Sequence, residues 1–487
     1  MRTPLFLILL SIGVLPIDAF AQQRLPAVTI VPVRAHSPLQ ELGCEGKSSP
    51  VRPPASPNPD PMEIPSEDLL EDATLVDPGT GELPGAASVP SPKPVAVNDS
   101  FRIAVWGDSH LAANFFTEEL VKLLKVPQDM APNVLIPANM GKAGVRLPLR
   151  KTCVSSQWKY EPGYLGGSQA AAPGPALVNM FSDEAGATLA WDVRKDAQSP
   201  GYERVRLLYQ QTEVPMVVGI SVDGDTEQEV TLHENAGPAV LELVAERPMA
   251  QIRLRLIDAR FRFHGLELSS AQSKPFVLDV FGYPGATVAS WKLANLDYLR
   301  TWFAQRPYQL VVLEFGTNEG NGKPFDLSSY RTMLTDSVRN MKTVFPGAAC
   351  ILIAPGDRGV LVRRSENLRK KKGAVSRALR SIAAKVKVWD RHGKRRTAGA
   401  GVAVDLYAFS KIHAAIGRVQ AEVAAGAGCT AWSMQDAMGG QGHAYQWAQA
   451  SPPLMAKDLI HFTVAGYRHL AKDFVRDMGW NVASPTP

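Results

Sequence analysis

The sequence predicts an α/β protein built on a parallel sheet, interrupted by an all-β insert and preceded by a long spacer. Two patterns carry this. Near-continuous apolar runs alternate with helical patterns at Phe101–Leu124 and again from Phe276 to Ala424, as in parallel sheets covered on both faces. Between them the rhythm changes to short alternating runs separated by Gly, Pro and Asp turns, the signature of a β-sandwich. The length, 487 residues, is enough for two or three domains.

In chain order, Met1 to Ala21 reads as a secretory signal (residues 1–21). Arg2 precedes an apolar run from Pro4 to Pro16, and Ala19-Phe-Ala21 is a small-x-small cleavage site. The run is too short to span a bilayer comfortably, and no later stretch is apolar enough. The expectation is an exported protein, periplasmic or secreted, that is not transmembrane after signal cleavage. Residues 22–98 are rich in Pro, Ser and small residues. Asp60 to Glu82 holds eight acidic residues and no basic one. This predicts a largely disordered linker with at most a short helix near Ile64 to Leu75.

The α/β domain is expected at 99–125 and 274–487, and the insert at 126–273. Strands are predicted at Phe101–Gly107, Phe276–Phe281, Leu310–Phe315 and Ala349–Ala354. Helices are predicted at Leu111–Leu124, Thr287–Phe303, Leu327–Val344 and Leu406–Ala424. Within the insert, runs such as Val205–Tyr209, Met216–Val222, Ala239–Leu243 and Gln251–Leu256 read as strands, with Asp223-Gly224 as a tight turn. A basic insertion (361–400) follows the fourth strand. From Leu361 to Arg396, fourteen Lys or Arg face Glu366 and Asp390, so the net +5 of the chain resides in one segment. A solvated face is its simplest reading, and contact with an anionic envelope polymer is the alternative. The four cysteines, Cys44, Cys153, Cys350 and Cys429, allow up to two disulfides with three full pairings. Cys350, in an apolar strand, also fits a buried free thiol.

Chemistry collects after strand ends. The first strand stops at Gly107 and feeds Asp108-Ser109-His110 into a helix, which places the Ser109 hydroxyl and N–H at the carboxyl edge of the sheet, where open α/β folds bind ligands. Gly282-Tyr-Pro-Gly285 follows the second strand, and a Gly there lets a backbone N–H approach a substrate oxygen closely. Gly316-Thr-Asn318-Glu319 follows the third, and Asn318 can donate its amide into the same space. Near the end, Asp458-Leu-Ile-His461 puts a carboxylate and an imidazole three apart, on one face of a helical turn. Asp108 reads as the holder of its turn.

These four stretches, in this order, resemble the motif blocks of the SGNH (GDSL-type) hydrolase family, whose name letters here are Ser109, Gly285, Asn318 and His461. With Trp432-Ser-Met-Gln-Asp-Ala-Met-Gly-Gly440 and Trp447, the chain is most similar to the peptidoglycan O-acetylesterase subgroup, in which a carbohydrate-binding-module-like β-sandwich is inserted after the first block. The resemblance implies a three-layer α/β/α fold with a flavodoxin-like parallel sheet. It implies acyl-ester hydrolysis through an acyl-enzyme, with Ser109 as nucleophile, His461 as base and Asp458 as its orienting acid. It also implies an oxyanion hole formed by the N–H groups of Ser109 and Gly285 and the amide of Asn318. Glu319 departs from the family, which mostly carries Asp there. No cofactor or metal is implied.

The partner expected is an O-acetylated glycan of the cell envelope, peptidoglycan first; no nucleic acid is expected. Trp158, Trp191 and Phe261 of the insert either cradle sugar rings or fill the sandwich core. An O-acetyltransferase of related fold is the runner-up, although envelope acetyltransferases of the alginate type carry an Asp-x-His pair ahead of the serine. A catalytically inert glycan-binding protein is the third reading.

Overall fold

The computed structural model describes residues 25–33, 39–44, 62–65, 101–125, 135–138, 140, 142–165, 172–233, 235–270, 276–304, 306–321, 324–363, 387–389, 395–397 and 405–480. The signal, most of the linker, the body of the helix expected at Ile64–Leu75 and most of the basic insertion lie outside the described residues.

The α/β domain is a sheet of five parallel strands: β1 (Phe101–Gly107), β2 (Phe276–Gly282), β3 (Leu310–Glu314), β4 (Ala349–Ala354) and β5 (Thr430–Ser433). Their order is β2-β1-β3-β4-β5. The α/β class expected from the sequence is the one found. The fifth strand was not anticipated, because Thr-Ala-Trp-Ser is too short and mixed to read as one. Successive residues point to opposite faces, so each strand feeds two layers. On one face Ile103 and Val105 meet helices α2 (Phe115–Leu123) and α9 (Val464–Asp477) through Leu120, Leu470 and Phe474. Two short helices, α7 (Met434–Ala437) and α8 (His443–Gln449), complete that layer.

On the other face Ala104 and Trp106 meet α3 (Ala289–Lys292), α4 (Leu296–Phe303), α5 (Leu327–Val344) and α6 (Ala408–Ala427). Trp106 anchors this side, with its ring 4.8 Å from Phe281 and 5.0 Å from Trp291. Full burial of one such side chain contributes roughly 3 kcal/mol. Since β1 lies between β2 and β3, the chain leaves it in opposite directions, and a crevice opens at its carboxyl end.

Two expected helices are broken, each for a local reason. Leu111–Leu124 divides into α1 (Ser109–Ala112) and α2 at Asn114, whose φ is +62°. Asn tolerates that conformation, and its side-chain amide donates to Arg146 O at 2.7 Å. Thr287–Phe303 divides into α3 and α4 because Asn295 caps the second piece, accepting from Tyr298 N–H at 3.1 Å.

The insert is a sandwich of two sheets. One contains Gly237–Met249, Tyr202–Gln211 and Phe261–Ser269; the other contains Met216–Val222, Gln251–Asp258 and Thr188–Asp192. Trp158, Trp191 and Phe261 are 8%, 0% and 0% exposed within the core they share, so they fill it and cannot cradle a sugar. The region read as a free linker is also stitched to the sandwich. Ala27–Ile30 pairs in parallel with Val240–Leu243, and Cys44 is bonded to Cys153. Val28 and Ile30 pack on the sandwich core; four residues of alternation were too few to stand out among prolines. Cys350 is not a free thiol but is bonded to Cys429, tying the start of β4 to the residue before β5. Among the described residues no helix is long and apolar enough to cross a membrane.

Candidate active site

The site begins where β1 ends. A Cβ on Gly107 would lie 2.5 Å from Leu111 Cδ1 and 2.6 Å from Glu314 Oε2, so only Gly lets the strand turn into α1 here. Asp108 caps that helix, its Oδ1 accepting from His110 N–H at 2.9 Å, and holds the turn as expected. Ser109 is thereby the first residue of α1 and only half-buried.

Residue 461 reaches it from the far end of the chain. His461 Nε2 lies 2.9 Å from Ser109 Oγ, and His461 Nδ1 lies 2.7 Å from Asp458 Oδ2. With Nδ1–H donating to the carboxylate, Nε2 is left to accept from the serine hydroxyl. One expectation is corrected. Asp458 and His461 do not share a helical turn; α9 starts at Val464 behind its cap Thr463. They belong to a tight turn in which Leu459 takes φ +56° and Asp458 Oδ1 accepts the N–H groups of Ile460 and His461, each at 3.0 Å. An Asp that folds back on its own following backbone satisfies the same three-residue spacing as a helix does. The turn is fastened by Ala456 N–H to His461 O at 2.7 Å and Gly359 N–H to Leu459 O at 3.1 Å.

The electrostatics suit a base. Partial burial pushes the Asp458 carboxyl up, but the hydrogen bonds from His461 and from the two N–H groups outweigh it and bring it down to about 2. The Asp458 hydrogen bond holds the His461 imidazole above its ordinary value, against partial burial. His110 packs 5.5 Å from His461, ring to ring; burial holds it neutral, down to about 3, and its Nδ1 is 3.2 Å from Tyr467 Oη. It packs against His461 without adding charge.

Two buried carboxyls, Asp108 and Glu314, and a half-buried one, Glu319, sit beneath Ser109, and of these only Asp108 had its role read from sequence. Burial raises Asp108 to about 6 and Glu319 to about 7, and burial together with the Asp108 charge raises Glu314 further. Asp108 N–H donates to Glu314 Oε2 at 3.1 Å. Glu319 accepts Val288 N–H at 2.8 Å and Gly316 N–H at 3.0 Å, clamping the loop after β2 to the loop after β3. A longer acid than Asp fits this reach across two loops.

That clamp sets Gly285 against Asn318. Tyr283-Pro-Gly285-Ala286 is a turn closed by Ala286 N–H to Tyr283 O at 3.0 Å, and Gly285 occupies its third position at φ +82°. Asn318 Nδ2 donates to Ala286 O at 2.9 Å. The insert braces the same turn: Tyr164 stacks on Tyr283 at 4.4 Å, and Tyr283 Oη donates to Ala176 O at 2.7 Å. The structure thus brings Ser109, Asp458 and His461 into one relay and places Gly285 and Asn318 on adjoining loops.

A further network behind the relay has no signature in the sequence. Asp357 accepts from Ser410 Oγ at 2.5 Å, Gln435 Nε2 at 2.7 Å and Ala444 N–H at 2.8 Å, joining the loop after β4 to α6, α7 and α8. Among the described residues no group of three or more His, Cys, Asp or Glu side chains is placed to hold a metal ion.

Among solved structures, the chain is similar to a peptidoglycan O-acetylesterase, with TM-score 0.53 and 20% identity over 78% of this chain and 91% of that one. At this identity the likeness shows the fold alone. A family two carbohydrate esterase from Cellvibrio japonicus (TM-score 0.23, 11% identity, 68% of this chain and 98% of that one) is too loosely alike to argue from. The same holds for a salicylyl-acyltransferase of a tetracycline biosynthetic pathway (TM-score 0.24, 10% identity, 68% and 96%). No protein-family model matches the chain, and no curated protein does.

Proposed function

We propose, from the premise of an SGNH-type hydrolase fold, that this chain is a serine esterase removing O-acetyl groups from a cell-envelope glycan, peptidoglycan first among them. The observation that carries the reading is the unbroken relay Ser109 Oγ–His461 Nε2 and His461 Nδ1–Asp458 Oδ2, at 2.9 and 2.7 Å. Ser109 Oγ attacks the ester carbonyl while His461 Nε2 takes its proton. The Ser109 and Gly285 N–H groups and the Asn318 amide receive the oxyanion. Collapse expels the sugar oxygen, which takes the proton from His461 and leaves as the free hydroxyl, and acetyl-Ser109 remains. A water deprotonated by His461 then releases acetate. Asp458 holds the tautomer and stabilises the imidazolium.

The two disulfides support an exported setting, periplasmic or secreted. The likeness to a structure described as a peptidoglycan O-acetylesterase favours that glycan over others. We assign the insert to bracing the Gly285 turn and walling the site, since its best sugar-stacking candidates are buried.

Acetate release from O-acetylated peptidoglycan, run beside O-acetylated xylan and an acceptor oligosaccharide, tests the reading. Hydrolysis fastest on peptidoglycan and indifferent to acceptor is expected. Acetyl appearing only on the acceptor identifies a transferase instead, and release only from xylan displaces peptidoglycan as substrate.

A further inference from the structure

We propose that Arg358 is a specificity residue of the Ser109 site, and that the ester hydrolysed sits on a sugar that also bears a carboxylate. The inference rests on the esterase reading and sharpens its substrate. Arg358 stands four residues past β4, on the same carboxyl edge as Ser109, Gly285 and Asn318. The hydrogen bond from Gly359 to Leu459 fastens its loop to the turn between Asp458 and His461. Its charge is felt by both of those residues.

The surroundings hold this cation in place without a direct ion pair. Its Cζ lies 3.9 Å from the Phe409 ring centroid, and Nη1 donates to the neutral Asn321 Oδ1. Nε is shielded from solvent and has no hydrogen-bond partner among the described residues. Burial pulls the guanidinium down to about 10, so it stays charged at neutral pH.

Other shielded arginines of the chain are matched to carboxylates: Arg306 to Glu267 and Asp279, Arg194 to Asp192, Arg262 to Glu161. Arg358 forms no ion pair with any described carboxylate. The Asp458 carboxylate favours the cation only from a distance, and a shielded charge with no direct ion-pair partner is costly unless a ligand supplies one. The planar fork of a guanidinium matches a carboxylate, and a stacked ring keeps that fork preorganised. A carboxylate-bearing sugar bound with its acetyl group at Ser109 completes the arrangement.

A second role is open to the same side chain. Asn321 Nδ2 lies 3.5 Å from Asn318 Oδ1, so Arg358 could act only by propping the Asn318 amide through Asn321. Two substrates separate the possibilities: 6-O-acetyl-N-acetylmuramic acid with its lactyl carboxylate free, and 6-O-acetyl-N-acetylglucosamine, which lacks it. The full-length protein is expected to favour the first by roughly tenfold or more in kcat/KM, the worth of one charge-assisted pair. Arg358→Gln is expected to erase that preference mainly through KM, and Arg358→Lys to keep part of it.

Equal kcat/KM on both esters in the unmodified protein overturns the proposal. So does a loss in Arg358→Gln that is the same on both, the mark of a residue that only props Asn318. Either result leaves the esterase reading standing. No acetate from either ester or from p-nitrophenyl acetate overturns the esterase reading, and the proposal falls with it.

Discussion

Ser109→Ala is expected to lower kcat on acetyl esters on the order of 10⁴-fold or more, while binding of the glycan and the melting temperature change little. The hydroxyl is the only group removed, and its partner in the fold is the His461 imidazole at 2.9 Å. The helix is capped by the Asp108 side chain rather than by the serine, so α1 keeps its start. Residual turnover reflects what the oxyanion donors achieve with water alone. Steady-state release of p-nitrophenol, with circular dichroism on the same samples, checks both halves. A variant that retains more than about a tenth of the activity rules out Ser109 as the nucleophile.

Asp458→Asn is expected to cost roughly 10²–10⁴-fold in kcat and to move the acid limb of the pH profile downward. The sign follows from the shifts. The Asp458 hydrogen bond raises His461, and His461 must be neutral to accept the Ser109 proton. In the unmodified protein kcat/KM therefore climbs as pH rises through a midpoint above the ordinary histidine value of 6.5. Removing the negative charge removes the largest influence raising the imidazole, so the midpoint falls while the plateau drops. The Asp108 carboxyl, raised by burial to about 6, also raises His461 by its charge, and it is untouched by the substitution. A midpoint that stays in place would mean that Asp458 does not govern the base. Kinetics from pH 5 to 9 decide it.

The parts of the site that the sequence reveals are those whose local chemistry is self-contained. Gly107-Asp108-Ser109 reads as a strand-to-helix turn because a Gly, a capping acid and a hydroxyl are needed there in that order. Gly285 reads as a close approach because a Gly after a strand lets a backbone N–H come near a substrate oxygen, and the structure adds a φ of +82° that also favours Gly. Asp458 and His461 were paired rightly but on the wrong element, since spacing of three is common to a helical turn and to an Asp folding back on its own backbone.

What escaped depends on contacts between distant segments. Glu319 clamps two loops, Glu314 underlies the Asp108-Ser109 turn, and Arg358 stands on the loop fastened to the Asp458–His461 turn; none has a neighbour in sequence that announces it. The strand Ala27–Ile30 was hidden because half of its pattern is supplied by Val240–Leu243. The insert's Trp and Phe residues face inward or outward according to strand register, which alternation in a single short strand leaves ambiguous.

The central claim is that an acyl group passes through one oxygen. Rapid quenching of the protein with an activated acetyl ester, followed by proteolysis and peptide mass spectrometry, locates the covalent intermediate directly. An acetyl group on Ser109, absent from Ser109→Ala and longer-lived in His461→Ala supplied with the same ester, is the predicted result. Acetyl found on another residue, or turnover with Ser109 never modified, would contradict it.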